Sequence, residues 1–259
     1  MRLLCVDVRN ASTTIGVFEG DALLDTWKVS TDTRRMADEW GLLVAGLVER
    51  TQLMQGLDGA CVSSTVPSAR REVRAMLAAQ GPGLHVVVVG PGVKSGLAVL
   101  MDNPREVGTD RVSNAVAAAA LVGGPCIVVD FETATTFDVI DTEGRYVGGA
   151  IAPGIEMSLT ALGERGAQLR QVELERPRTV IAKNTIEALQ SGAVFGFAAQ
   201  VEGIVARMVV ELDVDAHGIE VIATGHLGSA VIAECQVFTR HEPYLTLDGL
   251  RLIYERNPR

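Results

Sequence analysis

One pattern occurs twice in this chain. "RLLCVDVRNASTTIGVF" (Arg2–Phe18) is a short apolar run that delivers Asp7 into a turn of hydroxyl and amide side chains, followed by an alternating segment. "PCIVVDFETATTFDVI" (Pro125–Ile140) repeats the plan and delivers Asp130. A buried strand, a carboxylate and a hairpin, once in each half of a 259-residue chain, point to a single duplication rather than a solenoid. Superposing Asp7 on Asp130 sets Arg9 on Glu132, Asn10 on Thr133, Ala11 on Ala134, Ser12 on Thr135 and Thr13 on Thr136. "GGP" (Gly123–Pro125) punctuates the middle, so the halves are expected at 1–122 and 123–259.

Between the two copies the pattern alternates helix and strand. "MADEWGLLVAGLVERT" (Met36–Thr51) spaces Trp40, Leu43 and Leu47 as a helix does. "GACVSSTVP" and "LHVVVVG" read as buried strands, and "SARREVRAMLAAQ" as a helix with Ser68 as its N-cap. "RVSNAVAAAALV" (Arg111–Val122) is a helix of small residues, which lets another helix approach closely. After the second hairpin come "KNTIEALQSGAVFGFAAQVEGIVARMVVEL", a long helix, and "IEVIATGHLG", a strand with a glycine turn. Two α/β halves imply a cleft, with ligands at the carboxyl ends of the strands that carry Asp7 and Asp130.

Composition narrows the function. The formal net charge is −9, which gives no footprint for nucleic acid or an anionic membrane. The charged N-terminus is no secretory leader, and no apolar run approaches the ~18 residues of a membrane span. Cys5, Cys61, Cys126 and Cys235 lie far apart and form no CxxC, so buried, reduced thiols in a cytoplasmic protein are expected. His85, His217, His226 and His241 show no metal-ligand spacing with them.

Asp7 with "NASTT" suits a Mg2+-nucleotide, the carboxylate facing the metal and the turn N–H groups the phosphates. Alone, it reads better as an Asp capping a hairpin turn; the repetition at Asp130 favours chemistry. "NPREVGTDR" (Asn103–Arg111) presents Asp110 and Arg111 at the start of a helix. There Asp110 can accept a hydroxyl proton and Arg111 can grip an anion, or the two can be an N-cap and a surface cation; both readings stay open. Asn184 or Thr185 in "KNT" can cap the long helix.

Taken in order, "DVRNASTTIGVF", "MADEW", "STVPS", "NPREVGTDR", "VVDFETATTFDVI", "GGAIAPGIE", "KNTIEALQSG", "ATGH" and "LTLDGLRLIYERN" resemble the type III pantothenate kinase family, most closely members from high-GC Gram-positive bacteria. The resemblance implies two actin-like (ribonuclease H-like) ATPase domains with a cleft between them. It implies ATP-dependent phosphorylation of pantothenate, the first step of coenzyme A synthesis, by a cytoplasmic homodimer. Asp7, Val8, Arg9, Asn10, Ala11, Ser12, Thr13 and Thr14 then form the first phosphate loop, with Asp7 holding Mg2+ and Thr133 contacting ATP. Gly108, Thr109, Asp110, Arg111 and Thr185 contact pantothenate, with Asp110 as general base. Asp130 ligates a monovalent cation, K+ or NH4+. "EGRYVGGAIAPG" and the small-residue helix are the expected dimer elements.

Several positions depart from the family pattern. Arg9 and Glu132 stand where the phosphate turns usually carry glycine, Ala11 where Thr is usual, Ala182 in the "IGKNT"-like stretch, and His226 in the "TGG"-like one. Glu132 repels a triphosphate and occupies space that a glycine leaves open. Arg9 and Glu132, opposite in charge on equivalent turns, are expected to form an ion pair across the nucleotide site. These departures keep two other readings in play: a weakly active or inactive binding protein, and a kinase for a different small hydroxyl acceptor.

Overall fold

The first apolar run forms β1 (Arg2–Val8), and its continuous burial follows from its central place in a sheet. β2 (Ser12–Glu19) pairs with it antiparallel on one side and β4 (Gly59–Ser64) parallel on the other. β3 (Ala22–Ser30) and β5 (His85–Val88) complete the order β3-β2-β1-β4-β5. A strand covered on both faces needs apolar residues at every position, which is why "RLLCV" shows no alternation. On one face Leu4, Val6 and Val8 meet Trp40 and Val44 of α1 (Ala37–Glu49) and Val73 of α2 (Pro67–Ala78). On the other, Leu3, Cys5 and Phe18 meet Leu247, Leu250 and Ile253 of α7 (Leu245–Glu255).

The computed structural model describes residues 1–49, 56–79, 83–165, 172–213, 215 and 218–259. His217, Gln80 and the expected helix end at Thr51 lie outside them. The chain divides into two compact units, Met1–Leu97 with Asp102–Ala117 and Leu245–Arg259, and Ala98–Met101 with Ala118–Tyr244. The C-terminal helix therefore belongs with the first sheet, although 123–259 was read as one half.

In the second unit β6 (Cys126–Phe131) is central, flanked by β7 (Ala134–Ile140) antiparallel and β9 (Glu220–Gly225) parallel. With β8 (Tyr146–Pro153) and β10 (Arg240–His241) the order is β10-β9-β6-β7-β8, the first sheet's plan from the other edge. α4 (Ile155–Arg165), α5 (Thr185–Glu211) and α6 (Ser229–Ile232) cover the face that carries Ile127, Val129, Phe137 and Val139.

The duplication extends to local detail. Asp7 lies opposite Thr14 and Ser63, and Asp130 opposite Thr136 and Thr224. A register shift between Val17 and Phe18 recurs between Val139 and Ile140. The turns differ by one residue: the Arg9 N–H donates to the Ser12 carbonyl at 3.0 Å, and the Glu132 N–H to the Ala134 carbonyl at 3.1 Å. Beyond the turn, Thr14 thus matches Thr136 and Thr13 matches Thr135, one step off the ungapped superposition.

Three local expectations change. α2 begins at Pro67 with Val66 as its N-cap, so Ser68 lies inside the first turn and makes no cap. Proline's fixed φ suits that first position. α5 spans 27 residues with a mean hydropathy of 1.6 in its most apolar window, long and apolar enough to cross a membrane, contrary to the sequence reading. It buries a stripe of Val194, Ala198, Val201 and Val205 in the second unit's core. The small-residue helix is α3 (Thr109–Val122), and its close neighbour is α7: a Cβ on Gly249 would collide with the Ser113 carbonyl.

Candidate active site

In the first unit β1 carries Asp7 to its carboxyl end, where the residue is only 3% exposed. Arg9 folds back from the turn, buried as well, and its Nε donates to Asp7 Oδ2 at 2.6 Å. Arg9 Nη2 donates to Thr246 Oγ1 at 2.7 Å, at the start of α7. Val8 is buried, Asn10 and Ala11 are exposed at the tip, and Ser12 and Thr14 are half-buried. Thr13 is buried, its hydroxyl 2.8 Å from that of Thr31.

The expected substrate loop comes to the same strand ends. Ser63 is the β4 neighbour of Asp7, and its hydroxyl lies 2.9 Å from that of Thr109, the first residue of α3. Asp110 follows in the first turn, where the helix dipole favours a carboxylate. Its Oδ1 is buried and makes no hydrogen bond among the described residues, and a Cβ on Gly108 would lie 2.5 Å from it. Gly108 is thus the residue that leaves room for the Asp110 carboxylate. Arg111 is half-buried in the same turn.

In the second unit Asp130 is 2% exposed at the end of β6. Gly225, at φ +83°, passes so close that a Cβ would sit 2.5 Å from Asp130 Oδ1 and from the Phe131 carbonyl. A Cβ on Gly154 would strike the Glu132 and Thr133 carbonyls, and the Gly154 N–H donates to Thr133 O at 3.1 Å. Glu132 accepts a 2.6 Å hydrogen bond from His226 Nδ1, which ties the turns after β6 and β9 together. Thr185 is exposed at the start of α5, where Asn184 is the cap: its Oδ1 accepts from the Glu187 N–H at 2.9 Å, and its Nδ2 donates to Glu187 Oε2 at 2.8 Å.

The donor set is hard oxygen throughout. Among the described residues no three His, Cys, Asp or Glu side chains gather into a metal site. Single carboxylates beside turn N–H groups fit a cation that arrives with phosphates and keeps several waters, which is the habit of Mg2+. The thiols take no part: burial pushes Cys61, Cys126 and Cys235 up to about 12 and Cys5 well above its ordinary value.

A family model for type III pantothenate kinase matches residues 3–207. A type III pantothenate kinase from Nocardioides sp. is 57% identical over 258 residues, 99% of this chain and 100% of the relative. The chain belongs to the type III pantothenate kinase family. Another member, from Streptomyces griseus, is 53% identical over 260 residues, 98% of each chain. Among solved structures, the activator of the 2-hydroxyisocaproyl-CoA dehydratase from Clostridium difficile, with bound ADPNP, aligns at a TM-score of 0.56 and 11% identity over 99% of this chain and 96% of that one. That likeness concerns the fold, which is the α/β fold of actin, Hsp70 and sugar kinases.

Within this family member, sequence reasoning missed Thr246 and Asn114 behind the Asp7 turn, Ser63 beneath Thr109, and His226 as the partner of Glu132. Only the Thr and Asn residue types at "LTLDG" and "VSNAV" hinted at polar groups in otherwise apolar helices.

Proposed function

We propose that this protein is a pantothenate kinase, transferring the γ-phosphate of ATP to the primary hydroxyl of pantothenate, the opening step of coenzyme A synthesis. The membership of the chain in the type III pantothenate kinase family, along nearly its whole length, carries this reading. The geometry agrees with the chemistry. Phosphoryl transfer needs in-line positioning and charge neutralisation more than covalent help. Asp110 accepts the hydroxyl proton; its buried Oδ1, unspent on other hydrogen bonds, supports that role. Gly108, Thr109, Arg111 and Thr185 orient pantothenate, with Arg111 facing its carboxylate. The Asp7–Thr14 turn and Thr133 cradle the phosphates. Mg2+ held by Asp7, and K+ or NH4+ held by Asp130, supply charge neutralisation on the phosphates when bound.

A cytoplasmic homodimer is part of the proposal. β8 is an edge strand with Ile151 66% exposed, and α5 leaves Ile186 and Val210 exposed, so apolar surface there awaits a cover. An ion pair between Arg9 and Glu132 is retained as a proposal, read out by non-additivity of Arg9→Gly and Glu132→Gly in nucleotide affinity. A second reading, a family member with weakened nucleotide binding, is favoured by one observation: Glu132 places a carboxylate in the second phosphate turn. A coupled ADP-release assay with pantothenate, Mg2+ and K+ tests the kinase reading, and turnover dependent on pantothenate is expected. ADP release with another hydroxyl compound alone would reassign the acceptor. Nucleotide binding without any turnover would leave a binding protein.

A further inference from the structure

Behind the first phosphate turn lies a polar chain whose far end, Thr246 and Asn114, the kinase reading does not use. Arg9 bridges two partners, Asp7 Oδ2 through Nε at 2.6 Å and Thr246 Oγ1 through Nη2 at 2.7 Å. Thr246 Oγ1 then donates to Asn114 Oδ1 at 2.6 Å. All four residues are buried, with Asn114 fully enclosed. The direction of the chain is fixed. A guanidinium only donates, so the Thr246 oxygen receives from Arg9 and spends its single hydrogen on Asn114. The partners sit on three elements, the β1 turn, α7 and α3, and Arg9 and Thr246 are 237 positions apart in sequence. Three residues along α7 from Thr246, Gly249 packs against the backbone of Ser113, the neighbour of Asn114. The two helices thus form a tight platform under the relay.

We propose that Thr246 is a positioning residue for nucleotide binding. Through Arg9 it fixes the rotamer of Asp7, so that the carboxylate meets a nucleotide-bound cation without reorganising; Asn114 fixes Thr246 in turn. The inference rests on the reading of the Asp7 turn as a nucleotide site. The planar fork of arginine holds two partners at set angles, which a lysine cannot do. Valine has the shape of threonine and neither accepts nor donates, so Thr246→Val cuts the relay with little change in packing. Thr246→Ser restores the hydroxyl.

The test is calorimetric titration of the full chain with Mg-ADPNP, alongside KM for pantothenate. Outer contacts of this kind typically shift cation affinity about 10–100-fold, so Thr246→Val should weaken nucleotide binding about tenfold, leave the pantothenate KM in place, and be rescued by Thr246→Ser. In an Arg9→Gly background Thr246→Val should add nothing. If Thr246→Val fails to fold, Arg9→Lys serves, with the same weakening expected. Binding within about twofold of the parent for Thr246→Val or Arg9→Lys, or an equal loss with and without Arg9, overturns the inference. A parent protein that binds no nucleotide overturns the site reading as well, so the two failures are distinct.

Discussion

Gly225 allows a prediction whose size follows from the structure. Gly225 and Gly144 lie in the same unit and both hold positive φ, +83° and +72°. Their surroundings differ. A Cβ at Gly144 would find its nearest neighbour at 3.9 Å, whereas at Gly225 it would meet Asp130 Oδ1 and Phe131 O at 2.5 Å and Phe131 N at 2.7 Å. Gly144→Ala therefore costs the left-handed conformation alone, roughly 1–2 kcal/mol. Gly225→Ala costs that plus an overpacking penalty of about 1–3 kcal/mol, because two of the three obstacles are backbone and cannot swing away. For a chain of this size about 1 kcal/mol moves Tm by roughly 2–4 °C, so Gly225→Ala should melt some 2–12 °C below Gly144→Ala. The Asp130 carboxylate must also shift, so on the proposal that Asp130 holds K+, nucleotide binding should lose its K+ dependence in Gly225→Ala and keep it in Gly144→Ala. Paired melting curves and K+ titrations check both. Equal melting temperatures for the two variants would refute the reasoning that close approach, rather than backbone handedness, selects glycine at 225.

Asp110→Asn should leave Mg-ATP affinity unchanged while turnover falls roughly 10²–10⁴-fold; near-normal turnover would remove Asp110 as the base. Glu132→Gly removes a carboxylate from the turn after β6, which the proposal sets against the phosphates, and should tighten ATP binding about tenfold, measured by calorimetry. No gain would show that His226 already holds the carboxylate clear. Buried thiols give a pH signature. Cys61 and Cys126 titrate near 12 in the fold against 9.0 as free side chains. The folded protein then keeps protons that the unfolded chain gives up, so stability is full below pH 9 and declines as pH rises toward 12. Urea melts across that range should show the decline, shallower in Cys126→Ala.

How much of this was legible depends on the range of the cause. β1 and β6 announced themselves because a strand covered on both faces must be apolar throughout, and the Asp that ends each run stood out against that background. The existence of α3 was visible but its start was read at Arg111, two residues late, because an acid in the first turn and an acid that caps look alike in sequence. The shortened second turn was not, since a three-residue and a two-residue connection carry the same residue types. The partners of Arg9 and Glu132 were hidden for a stronger reason. Thr246 and His226 reach them only through sheet order and helix packing, which no local periodicity encodes. The placement of α7 was lost in the same way: only the face of β1 and β4 that it covers assigns it to the first unit.

That placement has a consequence for how the protein is made. The first unit lacks its closing helix until Leu245–Arg259 emerge, after the 127 residues of Ala118–Tyr244 have been synthesised. At about 5–20 residues per second the ribosome needs roughly 6–25 s for that stretch. For that interval Leu3, Cys5 and Phe18 wait without their α7 neighbours, on a nascent chain whose second unit already has all of its own strands. A stop codon or protease cut just before Leu245 would therefore injure the beginning of the protein rather than its end.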